Sequence, residues 1–139
     1  MSAPFPMVVA AIFCEKVLAE ADKVLSAIRI VDRVFATALW TEGQPPTVTL
    51  TMMVLLKGNG YRGKAKLQVI ANAPNGDQGS VLANEIEFPE KPNEGANVLA
   101  TLGITAKMEG VYWFEILVND RVAMRTPLDV QVVGNPARK

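Results

Sequence analysis

Residues 109–133 read EGVYWFEILVNDRVAMRTPLDVQVV. The first part, Val111–Val118, is rich in β-branched and aromatic residues, and the Asn119-Asp120 pair after it is typical of a two-residue turn. The second part ends in strict alternation of apolar with polar residues, with apolar ones at Leu128, Val130 and Val132. Two extended runs around a short turn predict a β-hairpin, and the hairpin indicates a β-rich protein.

Alternation within the first run predicts two faces. One face carries the residues that we assign to the core, namely Tyr112, Phe114, Ile116 and Val118. Tyr112 also stands two residues after Gly110, where a tyrosine of a β-sandwich often bonds back to the preceding loop through its hydroxyl.

The other face of this run is unusually apolar for a surface that points outward, because it carries Val111, Trp113 and Leu117. Buried tryptophan dominates the energetics of protein interfaces, so we predict that these three residues form an interface. Coverage of this face by residues 15–21 of the same chain is the competing explanation.

Length and composition limit the kind of protein. At 139 residues the chain is predicted to form one domain over 1–139, with a core at about 7–133 and a flexible tail at 134–139. A single cysteine excludes an internal disulfide and suits a reducing compartment. Fourteen basic residues balance fourteen acidic ones, so no net field attracts nucleic acid or anionic lipid. Half of the residues are apolar, and a self-association surface is one way to hide that excess.

Histidine is absent from the sequence, and this removes much chemistry. A Ser–His or Cys–His nucleophile pair needs an imidazole, and so do most of the common zinc sites. A carboxylate pair or a lysine remains as a possible catalyst. We expect no catalytic residue, no metal and no cofactor.

The apolar segment Ala3–Cys14, APFPMVVAAIFC, invites comparison with a secretion signal. No lysine or arginine precedes it, Pro4 and Pro6 interrupt it, and Phe13 stands where signal cleavage requires a small residue. The segment is also too short to cross a membrane as a helix. We therefore expect a buried first strand over Met7–Phe13 in a cytoplasmic protein without a membrane partner.

Residues 15–35 are ambiguous. Helix formers dominate Glu15–Lys23, whereas β-branched and aromatic residues dominate from Val24 onward. We predict a short helix or turn over Glu15–Ala21 and a long strand from about Lys23 to Phe35. The alternative is one helix that continues through Val31.

The middle of the chain predicts further strands. Thr47–Lys57 has one wholly apolar face and turns Met53 and Leu55 to the other, which indicates a central strand. Strands are also predicted over 64–71, 81–88 and 96–107, with a turn at 74–77 and loops at 41–46 and 89–95. Pro127 suits an edge strand or a bulge, since proline cannot donate to a ladder. The pattern predicts an all-β, immunoglobulin-like antiparallel sandwich of about eight strands with at most one short helix.

Two parts of the sequence resemble a known family. They are CEKV at 14–17 with LSAIRIVDRV at 25–34, and GVYWF at 110–114 with TPLDV at 126–130. They resemble a family of small, uncharacterised bacterial proteins that form an immunoglobulin-like β-sandwich as stand-alone cytoplasmic domains. The resemblance extends from about Val8 to Val133. It implies a fold and no activity.

A literal G-x-G-x-x-G lies at 58–63. The dinucleotide fingerprint requires a helix after the glycines, whereas an alternating strand follows them here, so a glycine-rich hairpin loop is the better interpretation. Lys57, Tyr61, Arg62 and Lys64, with Lys66 close by, form a candidate loop for an anion, a ligand or an acidic partner.

Three smaller groups have ordinary structural explanations. Glu85 and Glu87 lie about 7 Å apart on one strand face, a separation that glycosidases use, but a solvated face is the simpler interpretation. Asp32 is expected to pair with Arg29 or with an arginine on a neighbouring strand. Cys14 is expected to be buried and inert.

The leading hypothesis is therefore a non-catalytic interaction domain that self-associates or docks on a protein partner. The alternative is a small-ligand or carbohydrate-binding module that uses loop residues such as Trp40, Tyr61 and Trp113.

Overall fold

The computed structural model describes residues 4–22, 24–37, 47–88, 95–105 and 108–133. These ranges contain nine strands and no helix. In chain order the strands are β1 (Met7–Ala19), β2 (Leu25–Val31), β3 (Arg33–Thr37), β4 (Thr47–Lys57), β5 (Gly63–Asn72), β6 (Gln78–Phe88), β7 (Gly95–Thr105), β8 (Gly110–Val118) and β9 (Arg121–Val133).

The strands form two sheets that pack face to face as an immunoglobulin-like sandwich. The four-stranded sheet has the order β2-β1-β4-β7, and the five-stranded sheet has the order β3-β9-β8-β5-β6. The predicted all-β sandwich is confirmed. One pairing departs from the antiparallel prediction, because β3 runs parallel to β9 from Arg33 opposite Asp129 to Thr37 opposite Val133.

The core lies between the sheets and is built from alternate residues of each strand. The apolar face of β4 meets the predicted core face of β8, and the Phe13 and Phe114 rings touch across the sheets with centroids 4.9 Å apart. Apart from Tyr112 with its hydroxyl, no polar or charged side chain of the described residues is buried. Apolar burial therefore holds the two sheets together.

The hairpin of β8 and β9 turns as predicted. Asn119 and Asp120 have φ values of 48° and 65°, the left-handed pair that a two-residue type I′ turn requires. The Asn119 side-chain oxygen accepts from the backbone N–H of Lys66 at 2.9 Å, and the Asn119 N–H donates to the Lys66 carbonyl at 2.9 Å. These two bonds fasten the turn to β5.

The predicted helix or turn over Glu15–Ala21 is wrong, and so is the longer helix through Val31. β1 continues to Ala19 and pairs with β2, with Lys16 opposite Ile28. A tight turn follows, in which the Glu20 N–H donates to the Val24 carbonyl at 2.8 Å. Helix propensity differs by only a few tenths of a kcal/mol per residue for most side chains, so a full strand ladder outweighs it.

The long strand predicted over 23–35 is divided at Asp32. β2 belongs to the four-stranded sheet and β3 to the five-stranded one. The Asp32 carbonyl accepts from the Asp129 N–H at 3.1 Å, which places β3 beside β9. The break lets Val31 pack on the core from one sheet and Ala36 from the other.

Pro127 lies opposite Trp113 on β9. β3 pairs only with residues 129–133, so Pro127 occupies a stretch with an open edge on that side, as its missing N–H predicts. The predicted loop at 41–46, the tail from 134 and most of the loop at 89–95 lie outside the described residues.

Tyr112 is buried, and its hydroxyl donates to the Met108 carbonyl at 2.9 Å. The predicted bond back to the preceding loop is therefore confirmed. Burial raises the pKa of Tyr112, and the bond to Met108 opposes that shift only in part. The ring closes one end of the core while its polar tip stays satisfied.

Tyr112→Phe is expected to lower the free energy of unfolding by about 1–3 kcal/mol, because the Met108 carbonyl loses its donor. The loss should lie at the lower end, since Met108 is only half-buried and water can reach it. Tyr112→Ala should cost ~3–5 kcal/mol through the cavity it leaves. Urea melts measure both changes, with exposed Val111→Ala as the control. Wild-type midpoints for both variants would place the ring outside the core.

Gly110→Ala is expected to destabilise the protein by more than about 1 kcal/mol. Gly110 has φ of 137°, and a Cβ there would lie 2.9 Å from Cγ of Pro74. Gly103→Ala is the matched control, because nothing lies within 4 Å of a Cβ at Gly103. The urea midpoint should fall for Gly110→Ala and stay unchanged for Gly103→Ala. An unchanged midpoint for Gly110→Ala would contradict the expected backbone strain at that position.

Candidate functional site

The predicted interface residues lie together on the outer face of β8, in the five-stranded sheet. Val111 is 42% exposed and Trp113 is 38% exposed, while Leu117 is half-buried. Residues 15–19 belong to a strand of the other sheet. Coverage of this face by that segment is therefore wrong.

Polar groups surround Trp113. The Arg125 guanidinium lies 4.9 Å from the centroid of the indole ring. The Asn72 side-chain amide donates to the Trp113 carbonyl at 3.2 Å and to the Glu115 carboxylate at 3.0 Å. The tryptophan is thus part of a face that is partly apolar and partly polar. On this face the Asn72 amide is already bonded to Glu115, and Arg125 already lies over the indole ring.

The four-stranded sheet has a more uniformly apolar outer face. Phe13 and Met52 are opposite one another and point to the core, so their neighbours Cys14 and Met53 point outward. By the same register the outward apolar side chains run across all four strands. We call this set the outer apolar face: Ile12, Cys14, Ile28, Ile30, Met53, Leu55 and Leu99.

Exposure is uneven across the outer apolar face. Ile30 is 63% exposed on edge strand β2, and Leu99 is 46% exposed on edge strand β7. Cys14 and Met53, between them on the inner strands, are buried. The apolar side chains of this face are therefore exposed on the two edge strands and buried or half-buried on the two inner strands. No member of the set carries a charge, but Lys16 lies on the same side of β1, opposite Ile28, and Lys57 lies on the same side of β4, two residues after Leu55.

Cys14 is wholly buried, as predicted. Burial raises the pKa of the Cys14 thiol, so little thiolate forms at neutral pH. With no histidine in the chain to activate it, the thiol acts as a small apolar side chain.

The glycine-rich loop at 58–62 joins β4 to β5 and so passes between the sheets, which corrects the hairpin interpretation. A strand follows it, so it lacks the helix that a dinucleotide site needs. Tyr61 packs edge-on against Phe88 with ring centroids 5.8 Å apart, and its hydroxyl donates to the Lys64 carbonyl. Tyr61 thus has a structural position at the end of the core.

The basic residues near this loop do not converge on one point. Lys64 Nζ lies 3.6 Å from the Glu85 carboxylate, and Lys66 Nζ lies 3.1 Å from that of Asp120. Lys57 ends β4 and Arg62 is exposed on the loop. Exposed pairs of this kind add little stability, but they neutralise two of the cations that the sequence groups here.

The carboxylates singled out by sequence lie on the surface. Glu85 and Glu87 are exposed on β6, opposite Lys66 and Lys64 respectively. The predicted pairing of Asp32 with an arginine is wrong.

The two arginines instead pair with other carboxylates. Arg29 Nε lies 3.1 Å from Glu15, and Arg33 Nε lies 3.1 Å from Asp129. These partners come from the strands that β2 and β3 join, which sequence alone did not identify. Within the described ranges no cluster of acidic or cysteine side chains could hold a metal ion.

The described residues also contain no helix that is long and apolar enough to cross a membrane.

Comparison with known proteins gives a family, and two of the solved structures that are similar to this chain are distant in sequence. A model described as a family of unknown function (DUF6941) matches residues 9–131. An immunoglobulin-like protein from Pseudomonas aeruginosa is similar at 14% identity and a TM-score of 0.39, over 91% of this chain and 97% of that one. The alkylpurine DNA glycosylase AlkC of Pseudomonas fluorescens, solved with DNA that contains an abasic-site analogue, is similar at 8% identity and a TM-score of 0.49.

That likeness covers 72% of this chain, which spans only 28% of the length of the glycosylase. No curated protein matches the chain. Neither structural likeness is close enough to carry an argument about function.

The Cys14 thiol is expected to react with a disulfide reagent such as DTNB at least about a hundredfold more slowly in the native protein than in urea. The reason is that access to the buried thiol requires a local opening of ~3 kcal/mol or more. Its raised pKa also predicts that stability is greatest below the ordinary thiol value of 9.0 and falls as pH rises above it. Cys14→Ala should lessen that fall. A native thiol that reacts as fast as the unfolded one would contradict its burial.

Proposed function

The chain belongs to a family of unknown function (DUF6941), and we propose that it is a non-catalytic domain that self-associates through the outer apolar face of its four-stranded sheet. One observation carries the proposal: outward apolar side chains lie on all four strands of that face, with the lysines Lys16 and Lys57 at its two ends. Contiguous apolar patches of this kind mark interaction sites on soluble proteins.

A second copy of the chain suits this face better than a charged partner does. A two-fold interface brings the same patch of both copies together, so any charge on it would meet its like. Lys16 and Lys57 lie at the two ends of the outer apolar face, so its centre carries no charge, and the chain has a formal net charge of zero. By contrast, the surface around Trp113 carries Arg125 and Glu115, which a partner would have to desolvate.

The size of the face sets the strength of the contact. Four strands at ~4.8 Å spacing are about 19 Å wide, and the rows from Leu55 to Ile28 extend about 20 Å along the strands. The face therefore offers roughly 400 Å² per copy and about 800 Å² for a pair, which is below the roughly 1,000 Å² that specific interfaces usually exceed and suits only a weak, transient contact. We expect a reversible dimer that forms with rising concentration.

The absence of catalysis is part of the proposal. It is supported by the lack of histidine in the sequence and by the positions of Glu85 and Glu87, exposed and opposite lysines. A cytoplasmic location is proposed as well, on the single cysteine and its reduced, buried state.

The small-ligand alternative gains no support from the loop aromatics. The Tyr61 ring packs against Phe88, and its hydroxyl donates to the Lys64 carbonyl. The Trp113 ring lies under the Arg125 guanidinium. Trp40 lies outside the described residues. We do not propose a site at these residues.

Leu99→Lys and Ile30→Lys should each weaken self-association at least tenfold, which corresponds to about 1.4 kcal/mol. Each places a charge on the flank of the outer apolar face, where the dimer would bury it without a partner. Light scattering after size exclusion, over a range of concentrations, measures the change. Val111→Lys is the matched control, because Val111 is similarly exposed on the other sheet.

Urea midpoints of the three variants confirm that each remains folded. A wild-type chain that stays monomeric at its highest soluble concentration would end the self-association proposal. If Val111→Lys alone releases monomers, the interface is the predicted one around Trp113 instead.

A further inference from the structure

A cleft of about 440 Å³ opens where the edges of the two sheets meet. β6 forms one lip with residues 78–81, and β7 forms the other with residues 101–105. The floor belongs to the core and includes Leu102, Tyr112 and Phe114. We call this feature the edge cleft. It is separate from the outer apolar face, which lies on the far side of the four-stranded sheet.

Both lips are open strand edges. Among the described residues β6 pairs only with β5, and β7 pairs only with β4. Each lip therefore presents backbone N–H and C=O groups to the cleft without a strand partner in the described part of the chain. Such an edge is a template for another strand.

The lining selects the chemistry of an occupant. Among the described residues that line the cleft, Asp77 at one end is the only one with a charged side chain, and the other polar side chains are hydroxyls and one amide. A charged occupant would lose its hydration without gaining a counter-charge along most of the cleft. The occupant should therefore be uncharged and partly apolar.

The shape favours a peptide over a compact small molecule. The volume lies within the range of about 300–1,000 Å³ that ligand sites show. The lips of four and five residues extend ~13–17 Å, which matches an extended segment of the same length. Only another backbone offers donors and acceptors at the spacing of a strand edge.

We infer that the edge cleft binds an uncharged, extended peptide segment of another protein, which adds as a strand to β7 or β6 and places small or β-branched side chains on the Tyr112 floor. Main-chain hydrogen bonds to the open edge supply affinity, and the floor accepts every second side chain. This site does not depend on the proposed self-association.

Gly79 offers a way to close the cleft. It lies opposite Ala71, so a side chain at 79 would point to the same inner side. Nothing lies within 4 Å of a Cβ at Gly79, and its φ is outside the left-handed region. Gly79→Phe should therefore fill the cleft with a ring without straining the backbone.

Gly103→Phe is the matched control. Gly103 also has open space around its Cβ, but it alternates with buried Leu102 and so directs a side chain away from the core. Its ring should leave the cleft open.

The probe is a labelled Thr-Val-Thr-Leu-Thr peptide with blocked ends. Its sequence is that of residues 47–51, which pair with residues 101–105 along the other edge of β7. Fluorescence anisotropy should show saturable binding to the wild type, at least tenfold weaker binding to Gly79→Phe, and unchanged binding to Gly103→Phe. A peptide with N-methyl groups at alternate residues should fail to compete, because it cannot form the ladder.

Three results would overturn the inference. They are no saturable binding to the wild type, equal binding to Gly79→Phe and the wild type, and full competition by the N-methylated peptide. The light-scattering result for Leu99→Lys is independent of all three, so failure here leaves the self-association proposal standing.

Discussion

The structure depends on one constraint, which is that the two sheets meet through apolar side chains. The contact between Phe13 and Phe114 is the clearest example of it. A tilted ring pair of this kind adds about 0.5–1.5 kcal/mol beyond the area it buries. Because each strand has only two faces, fixing one residue inward fixes the directions of its neighbours as far as the next β-bulge, such as the one between Val8 and Ala10 in β1. The outer faces are therefore consequences of the core. Cys14 points outward because Phe13 points inward.

The parts of the fold that could be predicted from sequence are those with local signals. The hairpin of β8 and β9 has an alternating run, two turn residues that tolerate positive φ, and a tyrosine at a fixed distance from a glycine. Glu15–Ala19 could not be predicted in this way. Its side chains favour a helix, and only the partner strand β2 makes it extended. The division at Asp32 also depends on a distant strand, since β9 supplies its hydrogen bond.

The candidate surfaces also differ in how far a local stretch of sequence can reveal them. Val111, Trp113 and Leu117 stand in one strand, so one stretch of sequence was enough to single them out. Of the polar groups around them, Asn72 and Arg125 come from neighbouring strands. The outer apolar face draws one or two residues from each of four strands, and no single window contains more than a part of it. The edge cleft is further from prediction still. It depends on which strands end their sheets, and that order is set by topology.

The parallel pairing of β3 with β9 governs the order in which the protein can be completed during synthesis. Arg33 meets Asp129 across a separation of 96 residues. At a translation rate of about 5–20 residues per second, β3 must wait roughly 5–20 s for its partner to emerge. Throughout that interval the nascent chain carries a short apolar strand with nothing to pair with, at the stage when wrong pairing is easiest. The yield of folded protein should therefore depend on the pace of the ribosome and on chaperones that shield this strand.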